Sequence, residues 1–115
     1  LGFGHIRLST PQEHDRMIAL TSQLAHVLSS AYVKSPAALS HAGFSAGSFK
    51  DMTRVARLNE DMWTELFFDN KPALLDEIEG LIDRLEAYAE ALRQNDREKM
   101  QILLKEGRER KEIVG

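Results

Sequence analysis

From residue 74 to residue 92, Leu74, Ile78, Leu81, Leu85, Tyr88 and Leu92 are spaced by four, three, four, three and four. That alternation is the a/d repeat of helices packed along a seam. A strand cannot present it, because a strand returns side chains to one face every second residue. Leu75, Ile82 and Ala89 widen the stripe, and Leu66, Phe67 and Phe68 add an apolar cluster just ahead of it. The spacing predicts a helix over about 73–92 with more apolar surface than a narrow seam requires. Obligate dimer interfaces resemble a domain core cut in half, so the excess also predicts association with a second copy through these helices.

The remaining segments read as helices too. Thr10-Pro11-Gln12-Glu13 is a capping box with proline in the first turn. The helix it opens runs to about Lys34, with Met17, Leu20, Leu24, Val27, Leu28 and Ala31 as its apolar face. Ser35-Pro36 stops it, because a residue before proline is pushed out of the α region. Residues 36–47 read as a loop with at most one short helical turn. Ser48, with Asp51 three residues on, predicts a cap for a helix over 49–57, and Asn59 one for a helix over 60–68. Asp69-Asn70-Lys71-Pro72 opens the long apolar helix, and Asn95 with Glu98 predicts a cap for the last, over 96–113. No alternating stretch argues for a strand. The fold class is all-α, about five helices over residues 10–115, with residues 1–9 as the end of an extended connector.

Composition excludes several functions. Fifteen Lys and Arg against 18 Asp and Glu leave a net charge of −3, with no basic patch for nucleic acid. The absence of Cys excludes a disulfide framework, a thiolate zinc site and a cysteine nucleophile. No apolar run reaches the roughly 18 to 20 residues of a membrane span. The first residues do not form a secretory signal and lack an initiator Met, so the sequence reads as the cut end of a longer chain.

Few residues suggest chemistry. His14-Asp15 could belong to a metal-dependent phosphohydrolase, but only His5, His26 and His41 accompany it, and an acidic residue in a first turn is explained by the helix dipole. Ser22 and His26 share a helix face in a small, polar strip with Ala19, Ser29 and Ser30. The strip suits close helix packing or a ligand-facing imidazole; no orienting acid or oxyanion hole accompanies the Ser–His pair. Arg54 stands in a rather apolar segment and needs a carboxylate, either internal (Glu60 or Asp61) or a ligand's. Trp63, the single Trp, suits a core or a pocket. There is no GxGxxG, P-loop, HExxH or serine elbow.

Taken in order, the motifs resemble the C-terminal domain of prephenate dehydrogenase over almost the whole chain. The family's Pro-Glu-x-His-Asp is similar to Thr10-Pro11-Gln12-Glu13-His14-Asp15, with one residue inserted or the proline shifted. Its Ser-His-Leu-Pro-His corresponds to Ser22-Gln23-Leu24-Ala25-His26. Its glycine-rich stretch and Phe-x-Asp-x-Thr-Arg-(Ile/Val)-Ala correspond to Gly43 through Ala56, with Arg54 as the motif arginine. The Met62-Trp63 pair and Asn70 follow in register.

The resemblance implies an intertwined helical dimerisation domain, like those of prephenate and 6-phosphogluconate dehydrogenase-like enzymes. It implies a parent enzyme whose N-terminal Rossmann domain holds NAD or NADP and the catalytic imidazole, so this chain alone should be inactive. The implied reaction is oxidative decarboxylation of prephenate, or of arogenate, in the cytoplasm, with 4-hydroxyphenylpyruvate as the product from prephenate. The implied substrate-binding residues are His26, Arg54 (on a carboxylate), Ser22, Gly47 (in a loop near the neighbouring subunit's site) and Trp63. Gln23 replaces the first motif His and Ala25 the Pro, which removes any ionisable role at position 23. The competing reading is a helical oligomerisation module without chemistry. The segment Gly43–Ala56 argues against it, since a pure bundle does not need it.

Overall fold

The computed structural model describes residues 10–40 and 47–115. The expected connector at 1–9 and the first part of the glycine-rich stretch lie outside the described residues. All regular elements among the described residues are helical, as expected, and they fall into two units, residues 10–77 and residues 78–115.

In the first unit, α1 (Pro11–Ile18), a π turn (Ala19–Gln23) and α2 (Leu24–Val33) follow one another without a gap. Thr10 starts them in extended geometry. Its hydroxyl oxygen accepts from the Glu13 amide at 3.1 Å, the cap expected of Thr10, and donates to Glu13 Oε1 at 3.2 Å.

The π turn corrects the expected apolar face. It places one more residue in the turn than an α-helix does, which rotates the following side chains by about 100° relative to a constant period. Leu20 is therefore 50% exposed and Ala31 is exposed as well. The buried positions are Ala19 (0%), Gln23 (4%), Leu24 and Ser29 (3%). The small, polar strip is the most deeply packed face; of the apolar stripe Leu24 is buried, Met17, Val27 and Leu28 are half-buried, and Leu20 and Ala31 are exposed.

A short 3-10 turn at Pro36–Ser40 precedes α3 (Gly47–Thr53), which tightens into a second 3-10 turn at Arg54–Ala56. Ser48 lies inside α3 instead of capping it. The Thr53 hydroxyl donates back to the Phe49 carbonyl at 2.9 Å, a side-chain bond that competes with the helical ladder where α3 gives way. Ser29 donates to the Met52 carbonyl and the Tyr32 ring meets Phe49 edge-on at 5.4 Å, so α2 and α3 are tied by one polar and one aromatic contact.

α4 (Glu60–Asp69) starts as expected at Asn59, whose Oδ1 accepts from the Met62 amide at 3.0 Å. α5 (Lys71–Arg93) follows after Asn70 and continues into the second unit.

The second unit is a helical hairpin of α5 and α6 (Arg97–Val114). The cap of α6 is Asp96, which accepts from the Lys99 amide at 2.9 Å, and not Asn95. Asn95 makes the turn itself at φ 53°, a left-handed conformation that Asn tolerates better than other non-glycine residues. Tyr88 reaches the Leu103 carbonyl at 3.5 Å and Ala91 is buried. Leu85 and Leu92, both part of the expected seam, are 52% and 69% exposed, and Ile82 lies open beside them. Among the described residues only Ala19, Leu24, Leu74 and Ala91 are buried apolar side chains.

Candidate functional site

Gln23 of the π turn reaches the Leu66 carbonyl of α4, and one turn further along the ring of His26 meets Trp63 of α4. Their centroids are 3.9 Å apart at an interplanar angle of 23°, a stacked pair, and Phe67 tilts against Trp63 at 5.6 Å. These three rings line an open cleft of about 250 Å3. Ser30 from α2, Lys34 just past its end, and Glu60 and Thr64 from α4 are among its polar groups. The floor can stack a planar or unsaturated ring, and the rim offers one cation and one carboxylate to a polar substituent.

The imidazole is oriented from its own helix. His26 Nδ1 lies 2.8 Å from the Ser22 carbonyl oxygen, which can only accept, so Nδ1 carries the proton and neutral His26 presents Nε2 as an acceptor. His26 therefore addresses the backbone of Ser22 and not its hydroxyl through Nδ1, which leaves no nucleophile–base pair there.

The expected site residues separate into two groups. His26 and Trp63 share the cleft. Ser22 contributes through its carbonyl, and neither Arg54 nor Gly47 lines the cleft. Arg54 is exposed on the second 3-10 turn, and no ion pair with Glu60 or Asp61 forms among the described residues. Of the two partners expected for its guanidinium, the internal carboxylate is the one not found. Gly47 begins α3, with open space where a Cβ would stand. His14 and Asp15 lie 3.9 Å apart on the surface, and the described residues hold no cluster of three or more metal-ligating side chains.

Lys34, Glu60 and Phe67 were not expected at the site. Their spacing gave no signal, because the wall they share depends on how α2 meets α4.

The family model for the prephenate dehydrogenase dimerization domain matches residues 10–106. A cyclohexadienyl dehydrogenase of Zymomonas mobilis is 35% identical over 100 residues, covering 81% of this chain and 34% of that protein. A prephenate dehydrogenase of Lactococcus lactis is 28% identical over 104 residues, 84% of this chain and 29% of that protein. The chain thus spans about a third of the length of these curated relatives. The crystal structure of prephenate dehydrogenase from A. aeolicus in complex with hydroxyphenyl propionate and NAD+ superimposes with a TM-score of 0.77 at 27% identity, over 92% of this chain and 39% of that one. Synechocystis arogenate dehydrogenase shares the fold, with a TM-score of 0.82 at 20% identity over 96% of this chain and 42% of that one. No helix among the described residues is long and apolar enough to cross a membrane. The helical arrangement and the ordered motifs lead to one assignment: the chain belongs to the prephenate dehydrogenase dimerization-domain family.

Proposed function

We propose that this chain is the dimer-forming and substrate-contacting part of a cytoplasmic, NAD- or NADP-dependent prephenate dehydrogenase of tyrosine biosynthesis, with arogenate as the alternative substrate. The observation that carries the reading is the His26–Trp63 stack forming the wall of an open cleft, in a chain whose family is shown. An aromatic floor suits a six-membered cyclohexadienyl ring. Arg54, free of an internal ion pair among the described residues, supplies a planar fork for a substrate carboxylate. Gly47 and Ser22 belong to the same binding surface in this reading.

In the reaction, the ring carbon bearing the hydroxyl loses a hydride, carbon dioxide leaves, and the ring aromatises. The nicotinamide accepts the hydride. This chain has no glycine-rich dinucleotide motif, so the reading assigns the cofactor to an N-terminal domain outside this sequence. The residues here bind and orient the acid and shield it from water.

Dimerisation is assigned to α5 and α6. Ile82, Leu85 and Leu92 on α5 and Ile102, Leu104, Ile113 and Val114 on α6 are exposed apolar side chains, and a second copy would remove them from water.

The test is nicotinamide reduction by the full-length parent, with prephenate and with arogenate, under each dinucleotide. Turnover of either acid is the expected result. A folded dimer that turns over neither would overturn the reading in favour of a helical scaffold.

A further inference from the structure

Position 23, where the resemblance implies a histidine, holds a glutamine that is 4% exposed and bonded on both sides of its amide. Nε2 donates to the Leu66 carbonyl of α4 at 3.1 Å. Oε1 accepts from Asn70 Nδ2 at 2.8 Å, and the same Asn70 nitrogen donates to the Asp15 carbonyl of α1 at 2.9 Å. Two carboxamides, Gln23 and Asn70, therefore link α1, the π turn, α4 and the residue that joins α4 to α5. The placement of Gln23 matters for the cleft: His26 is three residues beyond Gln23 on one side, and Trp63 is three residues before Leu66 on the other. The clamp and the ring stack are neighbouring turns of the same two helices.

We infer that Gln23 is a positioning residue, whose amide fixes the Trp63 indole against the His26 imidazole. The site demands one donor, toward Leu66, and one acceptor, toward Asn70. A carboxamide meets both demands at every pH. A neutral imidazole can meet both, but an imidazolium has two donors and no acceptor, so it would face the Asn70 amide with nothing to offer. A carboxylate would lose the donor toward Leu66. Glutamine thus keeps the strut and removes its sensitivity to acid. The consequence for turnover rests on the proposed function, but the clamp itself does not.

Trp63 is the single Trp in the sequence, so its emission reads the stack directly. An imidazole stacked on an indole quenches its emission. His26→Gln should therefore raise the emission, and the rise measures the quench due to the stack apart from any contributed by Lys34 and Glu60 in the same cleft. Gln23→Leu, nearly isosteric but without the amide, should keep its helical circular dichroism and lose most of the quench. Gln23→His should keep the stack near pH 8 and lose it in acid. A folded Gln23→Leu with the full quench would overturn the inference. If that variant does not fold, Asn70→Ala strips one side of the clamp and carries the same two outcomes. Failure of the parent to turn over prephenate or arogenate would overturn the proposed function and leave the fluorescence result standing.

Discussion

Residues 10–77 and residues 78–115 are both helical, yet they are held in different ways. The first unit is fastened by side chains that choose particular backbone atoms: Gln23 on Leu66, Asn70 on Asp15, Ser29 on Met52, and the His26–Trp63 stack. The second has one long hydrogen bond across its hairpin, the small buried Ala91, and a surface pair of Arg93 with Glu86 and Glu90. Specific links suit a site whose groups must stand in fixed positions. An apolar flank left open suits a surface completed by another molecule.

The sharpest way to break that contrast is to charge the hairpin. Burying a leucine contributes about 1.5–3 kcal/mol, and a twofold interface counts each substitution twice. Leu85→Asp with Leu92→Asp should therefore weaken a dimer by at least about a thousandfold, read by sedimentation at several concentrations. A dimer of unchanged affinity would show that the open flank is not the interface. Next, Arg54→Ala in the parent should raise KM for prephenate about 10- to 150-fold, the equivalent of one charged hydrogen bond, with the dimer intact. Unchanged kinetics would remove Arg54 from the site.

Smaller effects test the local links. Thr10→Ala removes the first cap and should lower stability by about 1 kcal/mol in urea unfolding, without altering association. Arg93→Ala should matter least. The hydrogen bond and charge of Arg93 hold the Glu86 carboxyl below its usual range; Gln94 and then Arg93 do the same for Glu90. Folded values that are depressed stabilise the protein above the ordinary carboxylate range, and the contribution is lost as pH falls through the lowered values. All three groups are exposed, so the drop in melting temperature should be small at neutral pH, and absent in acid or at about 1 M salt.

Much of the helical plan is legible in the residues, because caps and prolines act locally. Thr10, Pro11, Asn59 and Pro36 stand where their chemistry requires. The boundary at Asn95–Asp96 is misread because both residues can cap, and only the left-handed turn decides between them. Leu20 and Ala31 are misplaced on the inner face of the first helix for a different reason. Hydrophobic periodicity assumes a constant pitch, and nothing in Ala19–Gln23 announces a π turn. Of the cleft, His26 and Trp63 come from ordered motifs, whereas Lys34, Glu60 and Phe67 become neighbours only through tertiary packing.

The π turn also bears on how this helix tolerates editing. Removing one residue between Ala19 and Gln23 would leave a straight α-helix with every motif letter downstream intact. It would also turn the Gln23 amide away from Leu66 and the imidazole away from the indole. Chain length in that short stretch therefore shapes the cleft as much as any side chain does, and grafts from relatives should preserve it to the residue.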